Sequence, residues 1–199
     1  MLKLLLIRHG ETAGNKLKRY IGKRTDESLC REGMDELEKL VYPSVQAVYT
    51  SPMLRCTQTA GILFPGKKLN IIDELAECDF GEFENKNYKE LSDNPHYQQW
   101  VDSNGTLPFP GGESKEQCRD RNLDGLEKII DICLKNKIQE AAAVVHGGTI
   151  MNIMEAYGEP KKSFYDWHAG NGQGYLVEVD TEAWKQGNKT LKVLKSTKK

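Results

Sequence analysis

Leu2-Lys3-Leu4-Leu5-Leu6-Ile7-Arg8-His9-Gly10 is a short, mostly apolar run that stops abruptly at an arginine, a histidine and a glycine. A run of this length, with no polar alternation over Leu4–Ile7, suits a strand buried on both faces. Such a strand needs helices on either side of its sheet, and the rest of the chain supplies the pattern. Ala47–Thr50 reads as a second strand. Ser51-Pro52 then reads as a helix start, with Ser51 as the N-cap and Pro52 in the first helical position, where a missing N–H costs nothing. That helix is expected to run to about Phe64 and to stop at Pro65-Gly66, before a third strand at Leu69–Ile72.

Further along, Ser114 and Gln117 form a capping-box pattern. Leu123, Leu126, Ile130 and Cys133 recur at helical spacing, which predicts a long amphipathic helix to about Asn136. Ala141–Val145 is a buried strand candidate followed by His146-Gly147-Gly148, and a helix is expected over Thr149–Tyr157, closed by Gly158 and Pro160. Strands at Tyr175–Val179 and Thr190–Leu194 complete the pattern. Strands alternating with helices imply an α/β fold: a three-layer sandwich with a largely parallel central sheet flanked by helices. Residues 78–112 differ, mixing aromatic residues with Asn, Asp, Gly and Pro, and read as a small, partly helical cap insertion whose aromatics form a core.

The 199 residues fit one ordinary domain, or one domain with a large insertion. With 38% hydrophobic and 29% charged residues, neither a disordered chain nor a membrane bundle fits. Lys+Arg number 28 against 29 Asp+Glu, so the basic excess of a dedicated nucleic-acid binder is missing, and any anion must be caught by a few placed cations. The last fifteen residues carry six lysines and no acid, and read as a protected edge strand with a solvated tail. The apolar run at Leu4–Ile7 is too short for a signal peptide or a membrane span. Five dispersed cysteines without a C-x-x-C pair favour neither a zinc knuckle nor a disulfide framework, and the expectation is a reduced, cytoplasmic protein.

Ligands of open α/β sheets bind beyond the carboxyl ends of the strands. His9 and His146 each directly follow a predicted strand, and each is followed by a glycine that lets backbone approach a ligand. Arg8 precedes the first histidine, and Arg55 falls in the first turn of the helix after Ser51. Two imidazoles, two guanidinium groups and two helix N-termini on one rim describe a phosphate site. His96 and His168 lie outside this pattern and read as structural or solvated; Gly170-x-Gly172-x-Gly174 reads as a turn into the Tyr175 strand.

These residues carry a resemblance. Leu5–Thr12 with Asn15 resembles the opening motif of the histidine phosphatase superfamily, in its phosphoglycerate-mutase-like branch. Ser51–Ala60, Glu77-Cys78-Asp79-Phe80-Gly81 and Val144–Thr149 resemble its remaining motifs, in the family's order. Phe109–Ser114 is similar to a segment of its small phosphatases, among them α-ribazole phosphatases. The resemblance implies a single histidine phosphatase domain over residues 1–199, with a cap at about 78–112. It implies a phosphomonoester hydrolase that needs no metal or cofactor and has a small-molecule substrate, not nucleic acid or a membrane. His9 becomes the nucleophile, neutral, with its other ring nitrogen donating to a backbone carbonyl. Arg8, Arg55 and His146 hold the non-bridging oxygens, with Asn15 and the Gly147 N–H as further donors, and Glu77 becomes the general acid and base.

A cofactor-dependent phosphoglycerate mutase is the alternative within the family, and a non-catalytic phosphate-binding module the alternative outside it. The mutases place a basic residue after the catalytic Glu, where this chain has Cys78, and an Arg pair after a cap Trp, where Trp100 precedes Val101-Asp102. Only Lys86 and Lys89 are cationic between Cys78 and Gly112. Ser28-Leu29-Cys30 replaces the family's frequent Pro-Leu-Thr ahead of Gly33, in a loop expected near the mouth of the site.

Overall fold

The computed structural model describes residues 1–197; Lys198 and Lys199, part of the lysine-rich tail, lie outside the described residues. Along the chain come β1 (Leu2–Arg8), α1 (Ala13–Lys16), α2 (Arg31–Glu38), β2 (Ala47–Thr50), α3 (Leu54–Leu63) and β3 (Leu69–Ile71). Then follow α4 (Pro95–Asp102), α5 (Lys115–Lys135), β4 (Glu140–Val145), α6 (Gly147–Tyr157) and β5 (Gly158–Glu159). Last are β6 (Gly174–Val179), α7 (Thr181–Lys185) and β7 (Leu191–Ser196).

Among the described residues the strands form one seven-stranded sheet in the order β3-β2-β4-β1-β6-β7-β5. Only β6 runs against the others, antiparallel to both β1 and β7. The sheet is therefore largely parallel, as the sequence pattern predicts. The reason for the apolar run in β1 is visible in its neighbours. Leu2, Leu4 and Leu6 pack with α5 residues Leu126, Ile129 and Ile130 and α6 residues Ile150 and Ile153 on one face. Leu5 and Ile7 pack with Cys56, Ala60 and Phe64 of the α3 segment on the other. Full burial stabilises each such side chain by about 1.5–3 kcal/mol, and only the central layer of a sandwich supplies it in both directions.

Register decides where the chemistry sits. Arg8 lies opposite Val145, and Val144 lies opposite both Ile7 and Thr50. The carboxyl ends of β1, β4 and β2 are thus level, and His9, His146 and Ser51 leave the sheet side by side.

Several element boundaries differ from expectation. α3 starts at Leu54, with Met53 in the cap position; the Ser51 hydroxyl accepts from the Met53 N–H at 3.3 Å, ahead of the helix, and also lies 2.8 Å from His146 Nε2. Asp26, from a distant loop, accepts from the Leu54 N–H at 2.7 Å and caps the helix instead. β3 ends at Ile71, one residue short of the predicted end, and β7 begins and ends later than predicted. α6 begins at Gly147, two residues earlier than expected, so its N-terminus lies closer to the site. Gly158 does end α6, but with extended backbone (φ −63°, ψ 143°) that leads straight into β5. The capping box of α5 forms as read, with Gln117 N–H donating to Ser114 Oγ at 3.1 Å and Ser114 N–H to Gln117 Oε1 at 2.8 Å.

Residues 78–112 build a third apolar cluster away from the two sheet faces. Phe83, Leu91 and Tyr97 are buried there, with Tyr20, Phe80, Trp100 and Phe109 packed against them. No helix among the described residues is long and apolar enough to cross a membrane.

Candidate active site

His9 is 4% exposed, and its Nδ1 lies 2.7 Å from the Gly10 carbonyl. A carbonyl can only accept, so Nδ1 carries the proton and Nε2 keeps its lone pair. Burial, followed by the charges of Arg55 and Arg8, depresses the pKa of this ring well below the ordinary range. His146, fully buried, is depressed in the same way by burial and Arg55, and the two rings meet edge-on with centroids 5.3 Å apart. Both imidazoles are therefore neutral near pH 7.

The two guanidinium groups are anchored at one end and unengaged at the other. Arg8 Nη1 donates to the Ala169 carbonyl at 2.9 Å and lies 3.4 Å from His168 Nε2. Arg55 donates from Nη1 to the Thr25 carbonyl at 2.9 Å, and from Nη2 to those of Gly22 at 3.2 Å and Ile21 at 3.4 Å. The Nε atoms of both arginines are buried and have no hydrogen-bond partner. A Cβ at Gly147 would lie 3.4 Å from Arg8 Nε, so the glycine keeps the backbone at the start of α6 close to that cation. Asn15 sits in α1, whose capping box it forms with Thr12; its Oδ1 accepts from the Thr12 N–H at 3.3 Å and from Asn171 at 3.1 Å, which leaves its Nδ2 as a donor.

Glu77 is 7% exposed, and its Oε1 accepts from the Cys78 N–H at 2.9 Å. Burial raises its pKa, while that hydrogen bond and the charges of Arg55 and Arg8 pull in the opposite direction. A Cβ added at Gly148 would come within 2.9 Å of the same Oε1, so the start of α6 also fixes this carboxyl.

A strand-end histidine pair with two arginines and a buried carboxyl agrees with what a sequence comparison finds. The family model of the histidine phosphatase superfamily (branch 1) matches residues 4–189. The chain belongs to the histidine phosphatase superfamily. Within it, the chain is 28% identical over 137 residues to phosphoserine phosphatase 1 of Hydrogenobacter thermophilus, covering 65% of this chain and 64% of the relative. It is 30% identical over 165 residues to a metal-independent phosphoserine phosphatase of Arabidopsis thaliana, covering 76% and 66%. The chain thus spans a little under two thirds of the length of these curated relatives. A solved structure of a candidate α-ribazole-5′-P phosphatase from Escherichia coli K-12 superposes with a TM-score of 0.79 at 25% identity, covering 99% of this chain and 97% of that one.

The histidine phosphatase frame does not by itself reveal the supports that hold this site. Asn171 donates to the carbonyls of His9 at 3.1 Å and Gly10 at 3.2 Å, and the Gly172 N–H donates to that of Arg8 at 3.0 Å. Gly172 needs its positive φ of 68° to make that turn, which places the predicted Gly170–Gly174 turn against the back of the His9 loop. Thr59 Oγ1 accepts from the Gly10 N–H at 2.9 Å. Arg121 donates to the carbonyls of Glu74 at 2.9 Å, Ala76 at 2.8 Å and Glu77 at 3.2 Å, and grips Glu113 through two bonds of 2.8 and 2.7 Å. Glu113 in turn accepts from the Asp79 N–H at 2.9 Å. His168, read as structural or solvated, stands at the rim beside Arg8; His96 makes an exposed pair with Glu82 at 2.9 Å.

Two further placements bear on charge. Cys78, Glu113 and Cys118 bring three metal-ligand atoms within 4.8 Å of one another. Arg121 Nη2 lies 3.9 Å from Cys118 Sγ and also binds Glu113, so a guanidinium is the cation this cluster faces. Lys23 and Arg24, from outside residues 78–112, reach the acidic loop but are paired with Glu113 at 3.6 Å and Asp79 at 2.7 Å.

The neutral rings make stability depend on pH with a definite sign. Below about pH 6.5 an unfolded chain protonates His9 and His146 while the folded chain does not, so stability is lost as pH falls. Each ring contributes a slope of up to about 1.4 kcal/mol per pH unit. Urea unfolding at pH 7.5 and 5.5 checks this; equal stabilities at the two values would contradict it.

Proposed function

We propose that the protein hydrolyses phosphomonoesters through a phosphohistidine on His9. The reading is carried by one observation above all, the His9 Nδ1–H held on the Gly10 carbonyl, which leaves Nε2 free to act as a nucleophile in the field of Arg55 and Arg8. In the first step Nε2 attacks phosphorus, the ester P–O bond breaks, and the proton of Glu77 passes to the leaving alkoxide. In the second, water attacks phosphorus, Glu77 takes its proton, the P–N bond breaks, and phosphate leaves with His9 neutral again. The burial that raises the Glu77 pKa suits an acid that must hold a proton near neutrality. Arg8, Arg55, His146, Asn15 and the Gly147 N–H are the proposed donors to the non-bridging oxygens. One such donor is worth roughly 3–4 kcal/mol in the transition state.

α-Ribazole phosphate is the substrate proposed for the first trial, on the resemblance of Phe109–Ser114 and the likeness to the E. coli structure. Phosphoserine follows from the names of the two curated relatives. A phosphoglycerate mutase is less well supported: Cys78 and Val101-Asp102 occupy the positions of its basic residues, and Lys23 and Arg24 are already paired with acids. The test is a panel of these esters and 3-phosphoglycerate, the last with and without 2,3-bisphosphoglycerate, with acid-labile phosphoenzyme trapped in parallel. Phosphate release and a labelled histidine are expected. Mutase turnover above hydrolysis would overturn the phosphatase reading, and the lack of any phosphoenzyme would point to a binding module.

Arg121 is proposed as a positioning residue for Glu77, because it binds the backbone carbonyls of Glu74, Ala76 and of Glu77 itself. Arg121→Ala is expected to lower turnover of alkyl phosphates by about 10–100-fold, the cost of misplacing a reacting group by an ångström or so. p-Nitrophenyl phosphate, whose leaving group needs no acid, is expected to be affected much less. An equal loss on both substrates would assign Arg121 a merely structural role.

A further inference from the structure

A cavity of about 310 Å³ adjoins the Glu77 carboxyl and Gly148, on the side facing residues 78–112. Much of its wall is aromatic: Tyr20, Phe80, Trp100, Phe109 and Phe164 contribute. Glu77 and Lys115 are the charged residues of the described lining, and the Lys115 ammonium lies 4.6 Å from the centre of the Phe164 ring.

Two residues of this lining each hold a buried polar atom with no partner in the protein. Asn152, 4% exposed, donates through Nδ2 to Asn122 Oδ1 at 3.0 Å. Asn122 donates its own Nδ2 to the Glu74 carbonyl at 3.2 Å. Since a carbonyl can only accept, this chain of two amides fixes both orientations and leaves Asn152 Oδ1 as a buried acceptor without a donor. Trp100 Nε1 is likewise a buried donor without an acceptor. Each costs about 1–3 kcal/mol if left unsatisfied, which a site built to receive a complementary group recovers on binding.

We infer that this cavity receives the alcohol half of the substrate and is shaped for a flat aromatic ring carrying polar atoms. Asn152 Oδ1 takes an N–H or O–H from that ring system, and Trp100 Nε1 reaches an acceptor on it. The inference rests on the hydrolase reading for the position of the phosphate. The neighbouring atoms argue in the same direction. The ring faces provide area for stacking, and the described wall holds no buried cation for a carboxylate. A carboxylate entering there would give up its hydration with only Lys115 to replace it. Phosphoserine and 3-phosphoglycerate are therefore poor fits, and Asn152 and Trp100 become specificity-determining residues.

The test compares esters of similar leaving-group acidity: ethyl phosphate, 2-phenylethyl phosphate, 2-(4-hydroxyphenyl)ethyl phosphate, phosphoserine and 3-phosphoglycerate. Both ring-bearing esters are expected to exceed the other three in kcat/KM by about 10-fold or more, a typical worth of well-filled apolar volume. The ring hydroxyl is expected to add a further several-fold, and Asn152→Leu to erase that increment while keeping the plain-ring advantage. Should that variant fail to fold, Trp100→Phe and calorimetric binding of 2-(4-hydroxyphenyl)ethanol to the unaltered protein serve instead. Binding of the alcohol, weakened in Trp100→Phe, supports the inference without any turnover. Fastest hydrolysis of phosphoserine through a phosphohistidine would overturn it and leave the hydrolase reading intact. No phosphoenzyme with any ester, together with bound alcohol, would sink the hydrolase reading and keep the cavity's ligand class. Absence of alcohol binding, or a ring hydroxyl without effect, would also overturn it.

Discussion

His9→Ala is expected to lower phosphate release from every phosphomonoester by about 10⁵-fold, the scale on which removing a covalent nucleophile acts. Nothing nearby can substitute for it. His146 is the other imidazole at the rim, but its Nε2 is engaged 2.8 Å from Ser51 Oγ, and its ring packs against the edge of His9. The acid-labile phosphoenzyme is expected to vanish in the same variant, while bound phosphate is retained because the two arginines remain. Alanine also removes one of the two described donors to the Gly10 carbonyl, leaving Asn171 there, so a melting curve must accompany the assay. A folded His9→Ala protein with full activity would rule out the mechanism.

Glu77→Gln carries the second large effect, and its signature is selectivity. Glutamine preserves the size of the side chain and an oxygen for the Cys78 N–H, but it holds no transferable proton. Turnover of alkyl phosphates is expected to fall by about 10²–10⁴-fold, the usual range for a general acid. p-Nitrophenyl phosphate is expected to lose far less. The pH profile follows with its sign fixed. In the proposed mechanism Glu77 acts while protonated, and burial raises its pKa, so alkyl-ester turnover is expected to fall on the alkaline side as the carboxyl ionises. That limb is expected to disappear in Glu77→Gln. A larger loss on p-nitrophenyl phosphate than on an alkyl ester would show that the acid lies elsewhere.

The parts of this molecule that sequence reading reaches are those where cause and effect lie close along the chain. The apolar run of β1, followed at once by Arg8 and His9, predicts both a central strand and a ligand at its end, and the register of β1 with β4 places His146 beside it. α2 escapes local reading, since Arg31–Glu38 is mostly charged and Met34 and Leu37 alone give little periodicity. Its N-cap is the sulfur of Cys30, 3.3 Å from the Gly33 nitrogen, a role that propensity would give to Ser or Thr. Glu77 has no local signal beyond family spacing, because its burial depends on α6 and on Arg121, 44 residues away. Local rules make Ser51 the N-cap of α3, but its hydroxyl stops at the Met53 N–H and is shared with His146, 95 residues distant. Likewise the aromatics of residues 78–112 do form a core, yet Phe80, Trp100 and Phe109 also line the cavity, a double duty that composition cannot express.

The clasp of Asn171 and Gly172 on the backbone of residues 8–10 has a consequence for how activity is acquired. The bond from Asn171 to His9 spans 162 positions, so the loop bearing the proposed nucleophile is completed by chain that the ribosome delivers much later. Helices can form early from local contacts, but closing so long a loop is slow. In refolding, helical signal is therefore expected to return before catalytic competence, and the appearance of phosphoenzyme becomes a clock for the docking of β6 against β1.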